Sequence, residues 1–219
     1  MYNPPAFKES DTERLLAQVD SCGLALLITH GSEGLRANHV PLLLTRNGDQ
    51  AQLQGHLAKA NPQWRDLAAG APALVVFSGP DAYVSPGFYP SKAQNPSVVP
   101  TWNYVSVQAR GTAQTFDEPE RLHALVAALT RRHEAQRPKP WSIGDAPAAY
   151  IQKMLQAIVG FSILIEHIEG KRKLSQNRSA VDEQGVRTAL AQSARPSDNA
   201  LADAMSINPQ PYPPMETQS

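Results

Sequence analysis

The chain has 219 residues, of which 42% are hydrophobic and 18% charged, as expected for one globular domain with a hydrophobic core. Lysine and arginine total 20 and are balanced by 20 acidic residues, so charge leaves direct DNA binding open but unsupported. The single cysteine excludes an intramolecular disulfide and a cysteine-based zinc site. With no secretory leader and no apolar run of about 20 residues, the sequence predicts a cytoplasmic protein without a membrane span.

The first half of the chain predicts a helix followed by strands. Ser10-Asp-Thr-Glu13 is typical of a capping box and predicts a helix through Val19 that stops near Gly23. Asn47-Gly48 predicts a tight hairpin, because both positions accept positive φ. The other elements predicted here are a buried strand Leu24–Thr29, strands Leu35–Thr45 and Ala51–Leu57 on either side of the hairpin turn, and a helix capped by Asn61-Pro62 that ends at Gly70.

The second half predicts further strands around a long irregular segment, Pro86–Pro100. The predicted strands are Ala73–Phe77, Ala82–Ser85, Thr101–Phe116 and Ile158–Ile168. The predicted helices are one capped by Asp117-Glu-Pro-Glu120, a second over Ala146–Gln156, and a surface helix over Ser179–Ala191, which follows a basic polar turn at Gly170–Asn177. Residues 195–219 are poor in apolar periodicity and predict a disordered tail, which leaves 1–194 as the folded domain.

Successive strands without intervening helices argue against a doubly wound parallel sheet. They favour a mainly β, α+β fold in which an antiparallel barrel carries peripheral helices. Neither GxGxxG nor GxxxxGK[ST] occurs, so a phosphate would have to be held by side chains rather than by a glycine-rich loop. The six histidines show no metal-ligand spacing, and no nucleophile elbow is present.

Two groups of polar residues near strand ends in the first half are candidates for holding an anion. They are Arg36, Asn38 and His39 on the second strand, and His56, Lys59 and Asn61 around the end of the third. The second group could converge with a helix N-terminus, which favours anions. Each residue also has a structural explanation, as a solvated lysine, a core histidine or a helix cap, and the residues alone leave both readings open.

Two further groups lie in the second half. Trp102, Asn103 and Tyr104 begin the long strand, where two aromatic rings and an amide could bind a planar ligand, or could be ordinary core residues. The basic turn carries Lys173, Gln176 and Asn177, which could complete a phosphate site or form a solvated face. Lys92 in the irregular loop is another candidate cation.

Seven motifs, taken in order along the chain, resemble the PaiB-like family of FMN-binding transcriptional regulators. The resemblance covers roughly residues 1–205. The matching motifs are Met1-Tyr-Asn-Pro-Pro-Ala-Phe7, Asn38-His-Val-Pro41, Gly55-His-Leu-Ala-Lys-Ala-Asn-Pro-Gln-Trp64, Tyr83-Val-Ser-Pro86, Tyr89-Pro-Ser-Lys92, Val99-Pro-Thr-Trp-Asn-Tyr104 and Lys173-Leu-Ser-Gln-Asn177. Two positions depart from the family pattern. Gln108 stands where a histidine is expected, and Gly87-Phe88 stands where a tryptophan often lies nearby.

The resemblance implies a split β-barrel similar to the pyridoxamine-phosphate-oxidase and flavin-reductase folds. It further implies a homodimer with FMN at the interface, and links to negative regulation of transcription, sporulation and protease control. With that ligand, the cofactor-binding candidates are Arg36, Asn38, His39, His56, Lys59, Asn61, Lys92, Trp102, Asn103, Tyr104, Lys173, Gln176 and Asn177.

Three functional hypotheses follow. The first is an FMN-binding regulator or redox sensor, and the second is an FMN-dependent oxidoreductase of the same fold. The third is an interaction protein whose barrel holds no cofactor. No residue stands out as an indispensable acid or base, and a flavin supplies most of its redox chemistry itself. The sequence therefore favours FMN binding over any particular reaction.

Overall fold

The computed structural model describes residues 1–207. The strands are β1 (Lys8–Glu9), β2 (Ala25–Gly31), β3 (Gly34–Val40), β4 (Leu43–Asn47), β5 (Gln50–Ala58), β6 (Pro72–Val84), β7 (Thr101–Phe116), β8 (Ile158–Leu164) and β9 (His167–Lys173). The helices are α1 (Thr12–Ser21), α2 (Gln63–Ala68), α3 (Pro119–Glu134), α4 (Ala148–Gln156), α5 (Ala180–Ala191) and α6 (Pro196–Ser206). None of these helices combines the length and the apolar character that crossing a bilayer requires.

The strands form a sheet in the order β3-β2-β6-β7-β8-β5-β4, and β9 pairs with β7 and with β1. The pairs β2–β3, β2–β6, β4–β5, β5–β8 and β7–β8 are all antiparallel. The predicted class, an antiparallel β structure with peripheral helices, is therefore confirmed. The predicted strand Thr101–Phe116 is confirmed as β7, residue for residue.

The predicted hairpin is confirmed, but its first strand is shorter than predicted. Gly48 has φ +58°, and Asn47 lies opposite Gln50 across the β4–β5 turn. The predicted strand Leu35–Thr45 is wrong as one element, since β3 ends at Val40 and β4 begins at Leu43. Pro41 has no N–H to donate to a ladder, and here the chain leaves its pairing with β2 and begins pairing with β5.

Two other strand predictions are corrected at glycines. A single strand, β6, replaces the predicted pair Ala73–Phe77 and Ala82–Ser85. It passes through Gly79, where a Cβ would lie 2.8 Å from that of Val105 on β7. The predicted strand Ile158–Ile168 is divided into β8 and β9. The bend between them places the carbonyl oxygen of Leu164 where a Cβ of Gly111 would be, 1.8 Å away, so only glycine fits.

The segment Gly170–Asn177, predicted as a basic turn, is strand as far as Lys173. The predicted capping box at Ser10 is also wrong, because the carboxylate of Asp11 accepts the backbone N–H of Glu13 at 2.9 Å and that of Arg14 at 3.3 Å. Aspartate caps a helix as well as serine does, and the chain uses the next residue along.

The disordered tail predicted from residue 195 is wrong for its first part. Helix α6 begins at Pro196, directly after its N-cap Arg195, and buries Leu201, Ala202 and Met205. Burial of one leucine side chain is worth about 1.5–3 kcal/mol, so these contacts contribute to holding the helix in place. Residues 208–219, the rest of the predicted tail, lie outside the described residues.

The chain divides into two compact units, and β6 and β7 contribute to both. Unit 1 comprises Met1–Leu15, Ser78–Val107 and the described part of Glu169–Ser219, and unit 2 comprises Leu16–Phe77 and Gln108–Ile168. A core in unit 1 joins residues of β6, β7, α5 and α6, among them Val84, Val105 and Leu190. Helix α5, predicted as a surface helix, buries Val186 and Leu190 in this core. A core in unit 2 packs α3 and α4 around Phe116.

Candidate functional site

In unit 1, a buried hydrogen bond fixes the turn after β9 against the start of β7. The Nδ2 atom of Asn103, which is 1% exposed, donates to Oγ of Ser175 at 2.8 Å. Ser175 has φ +69°, a left-handed conformation that is uncommon for residues other than glycine. The side chain of Gln176 closes the turn on itself by accepting from the backbone N–H of Leu174 and donating to the carbonyl of Arg172. The turn is thus held rigidly beside β7.

Lys173 reaches across from β9 to the first residues of β7. Its Nζ donates to Oγ1 of Thr101 and, at 2.7 Å, to the carbonyl oxygen of Trp102. Burial lowers the pKa of Lys173, and the positive charges of Lys171 and Arg178 lower it further. The charges that act on this ammonium group are therefore like its own, which makes the location favourable for an anion.

Exposed aromatic rings lie next to these cations. Trp102 is 50% exposed and Tyr83 43% exposed, and their ring centroids lie 6.1 Å apart in an edge-to-face arrangement. Lys171 is buried with its Nζ 5.4 Å from the ring centroid of Tyr104, and it donates to the carbonyl oxygen of Tyr2 at 3.1 Å. We call Tyr83, Trp102, Lys171, Lys173 and Arg178 the basic–aromatic surface.

The predicted candidates Lys92 and Asn177 are both exposed, in unit 1. Lys92 lies on the 3₁₀ turn Pro90–Ala93, which is tied to α5 because the carboxylate of Asp182 accepts from the backbone N–H and the hydroxyl of Ser91 at 3.0 and 2.7 Å. Burial opposes ionisation of Asp182, but hydrogen bonds from Ser91 and Ser179 and the charge of Arg178 outweigh it and lower its pKa. This contact orders the irregular loop.

In unit 2, Arg36 is already paired inside the protein. Its guanidinium donates to both carboxylate oxygens of Asp66 at 2.7 and 2.8 Å, and it also contacts Glu33. Thr29 donates to the same carboxylate of Asp66 at 2.9 Å. Burial opposes ionisation of Asp66, but the hydrogen bonds from Arg36 and Thr29 outweigh it and lower its pKa. Gly31 leaves space for this carboxylate, whose Oδ1 would lie 2.0 Å from a Cβ.

Asn38 is also engaged, with a residue that the sequence did not indicate. Gln63, fully buried at the start of α2, accepts from Nδ2 of Asn38 at 2.8 Å. Its own Nε2 donates to the carbonyl of Leu27 at 3.0 Å, with longer contacts to Thr29 and to the Arg36 carbonyl at 3.3 Å. Asn61 accepts from the backbone N–H of Gln63 at 3.0 Å, as a capping side chain does, but Pro62 and not Asn61 occupies the N-cap position of α2. Glutamine and aspartate inside a short helix carry no sequence signal for such a network.

The remaining candidates of unit 2 lie on β3 and at the end of β5. His39 and Lys59 are exposed, and the backbone carbonyl of Lys59 accepts from the indole of Trp64 at 3.0 Å. His56 is half-buried with Nδ1 unpartnered among the described residues, and burial lowers its pKa. Gln108, which stands where the family pattern has histidine, is half-buried on β7.

The basic–aromatic surface fits the chemistry of a phosphorylated flavin. An ammonium group has three N–H donors, and Lys173 uses two of them within the protein, which leaves one for an anionic oxygen. An exposed indole beside it offers an apolar face to a planar ring. The unit 1 candidates at the start of β7 and around the end of β9 thus form one group, which Lys92 and Asn177 are not shown to join. In unit 2, by contrast, Arg36 and Asn38 are committed to Asp66 and Gln63.

The model of the family described as "Putative FMN-binding domain" matches residues 1–167 of the chain. The chain belongs to this family. A PaiB-like family member, "Protease synthase and sporulation protein PAI 2" of Bacillus subtilis, is 33% identical over 205 residues, 94% of this chain and 96% of its own. An uncharacterized protein of Aspergillus fumigatus is 32% identical over 194 residues, 69% of this chain and 74% of its own. The predicted PaiB-like resemblance is confirmed.

Solved structures confirm the split β-barrel fold of the FMN-binding-domain family. The FAD and heme binding protein from Mycobacterium smegmatis has a TM-score of 0.55 at 21% identity, covering 81% of this chain and 78% of that one. The flavocytochrome Anf3 from Azotobacter vinelandii has a TM-score of 0.50 at 19% identity, covering 76% and 69%. The family match ends at residue 167, before Lys171 and Lys173.

Proposed function

We propose that the protein binds FMN at the basic–aromatic surface of unit 1. The observation that carries the proposal is Lys173, whose charge faces two other cations and whose Nζ is fixed at the backbone of the exposed Trp102. A phosphate monoester placed there would relieve like-charge repulsion, and the indole would contact the flavin ring. Membership of the FMN-binding-domain family supports flavin as the ligand class.

Within this proposal the residues have separate roles. Lys173 binds the phosphate, with Lys171 and Arg178 contributing charge, and Trp102 with Tyr83 packs against the ring. Asn103, Gln176 and Ser175 position the turn that carries these groups. A bound flavin supplies one- and two-electron redox chemistry. Ligand roles for Arg36, Asn38, His39, His56, Lys59, Asn61, Lys92, Tyr104 and Asn177 stay predictions from the sequence.

Titration of the purified protein with FMN and, in parallel, with riboflavin tests the proposal. Riboflavin has the same ring and ribityl chain without the phosphate, so its affinity reports the aromatic contacts alone. We expect flavin fluorescence to change on binding, and FMN to bind at least about tenfold more tightly than riboflavin, the value of one charge-assisted hydrogen bond. Equal affinities would remove the phosphate from the site, and no binding of either would refute the proposal.

The biological role that we propose is that of an FMN-binding regulator or redox sensor acting as a homodimer in the cytoplasm. The name of PAI 2 ties that relative to protease synthesis and sporulation, which supports a regulatory role. Sedimentation with and without FMN measures the dimer. Oxidation of NADH by the FMN-loaded protein, if observed, would favour the oxidoreductase hypothesis over the regulator.

A further inference from the structure

A groove in unit 1 is lined by none of the residues of the basic–aromatic surface. It runs along one side of α5, faces the 3₁₀ turns that contain Phe88 and Pro90, and has a volume of about 620 Å³. Val181 on its α5 side is 63% exposed, so most of this residue lacks cover among the described residues. The groove is therefore an apolar surface that is open to an occupant.

The groove is built by close and specific contacts. Gly185 allows the backbone carbonyl of Phe88 to approach α5, since a Cβ at this position would lie 2.4 Å from that oxygen. The hydrogen bonds from Ser91 to Asp182 hold the opposite wall in place. On the α5 side, Gln184 and Thr188 are spaced one helical turn apart, with Nε2 of Gln184 donating to Oγ1 of Thr188 at 3.0 Å.

The absence of charge in the lining of the groove favours an uncharged segment as its occupant. None of the ten described residues that line it carries a charge. A charged peptide would lose hydration there without gaining a partner, whereas an uncharged segment would not. The side-chain amides and the hydroxyl offer donors to carbonyl groups, which suits a segment rich in proline, since proline has a carbonyl but no N–H.

A segment of this composition follows directly from α6. Residues 208–215 read Asn-Pro-Gln-Pro-Tyr-Pro-Pro-Met, with four prolines and no charge before Glu216. The end of α6 lies beside α5, because Arg187 of α5 donates to the hydroxyl of Ser206 at 3.3 Å. Eight residues span up to about 25 Å at about 3.1 Å per residue, and the twelve-residue α5 is about 18 Å long at 1.5 Å per residue. The segment is therefore long enough to follow the groove.

We propose that residues 208–215 bind in this groove within the same chain. The tail would then cover Val181 and the surface beside Phe88, and would supply the apolar contact that this surface lacks among the described residues. The inference is independent of FMN, because it involves none of the residues of the basic–aromatic surface.

Photocrosslinking from the tail tests the proposal in the full-length protein. With p-benzoylphenylalanine introduced in place of Tyr212, irradiation should crosslink the tail to peptides containing Phe88 or residues 180–192, as mapped by mass spectrometry. Adding Val181→Glu should reduce this yield at least about threefold by placing a charge in the groove. The exposed position of Val181 makes the variant compatible with folding, which circular dichroism checks.

Gln152→Glu, on the exposed face of α4 in unit 2, is the matched control and should leave the yield unchanged. Crosslinks to other surfaces, no crosslinks, or crosslinks that persist in Val181→Glu would overturn the proposal. Mixing isotopically heavy and light chains separates the two possible origins of the tail. Crosslinked pairs of mixed mass would assign the groove to the tail of a second copy, and would equally overturn binding within the chain.

Discussion

Replacing Lys173 by methionine tests the assignment of the phosphate most directly. Methionine retains an apolar stem of similar length and removes only the ammonium group, so contacts of the stem with its surroundings are largely kept. The groups left behind, the hydroxyl of Thr101 and the carbonyl of Trp102, lie at a partly exposed position where water can satisfy them. The expected loss is therefore one of ligand binding rather than of folding.

The size of the effect follows from the donors of Lys173. Two of its three N–H donors are used by Thr101 and Trp102, so a single charge-assisted hydrogen bond remains for the phosphate. Such a bond is worth about 1.5–3 kcal/mol, which corresponds to an affinity about 10- to 150-fold weaker. Riboflavin has no phosphate, so the substitution should change its affinity by no more than about twofold. This corresponds to a change of about 0.4 kcal/mol in binding free energy.

Fluorescence titration of both ligands against wild type and Lys173→Met gives the four affinities needed. Lys153→Met, an exposed lysine of α4 in unit 2, is the control for the loss of one positive charge and should change neither affinity. An equal loss for FMN and riboflavin would show that Lys173 acts by positioning Trp102. Unchanged FMN affinity would refute the reasoning, because it would remove Lys173 from the site.

Three further variants test other parts of the structure. Trp102→Ala should weaken FMN and riboflavin alike, by about 1–3 kcal/mol if the indole packs on the ring; a loss confined to FMN would contradict this. Gln63→Leu should lower the free energy of unfolding in urea by about 2–4 kcal/mol, since buried partners lose their hydrogen bonds, whereas exposed Gln152→Leu should change it by less than about 0.5 kcal/mol. Because burial lowers the pKa of His56 below its ordinary 6.5, the unfolded state binds more protons below that pH, so stability should fall as pH drops from 6.5. His56→Gln should flatten this dependence, and an unchanged slope would assign it to other groups.

The sequence predicted elements well where local chemistry alone decides them. The Asn47-Gly48 turn and the long strand β7 are examples, since positive φ and an alternating apolar pattern need no knowledge of the rest of the chain. The errors occur where tertiary contacts decide. Pro41 divides a continuous pattern because the two halves pair with different strands, and β6 continues through Gly79, where the chain approaches Val105 closely.

Helix α6 illustrates the same limit. Its three buried residues lie at positions 201, 202 and 205, too few to give a strong periodic signal. Their burial depends on a core that includes residues of β6, β7 and α5. The sequence nevertheless contains a signal for the start of α6 at Pro196, since proline is over-represented at the first position of helices. The buried network around Gln63 had no such signal.

The candidate residues separate according to whether their charge is already neutralised. Arg36 has the spacing and type expected of a phosphate ligand, yet Asp66 and Glu33 occupy its donors, so an anion would have to compete with two carboxylates. Lys173 has the opposite surroundings, because the charges acting on it are those of Lys171 and Arg178. Bringing like charges together costs free energy in the unliganded protein, and a dianion recovers it on binding. This difference in charge pairing between Lys173 and Arg36 favours the start of β7 and the end of β9 as the place where a phosphate binds.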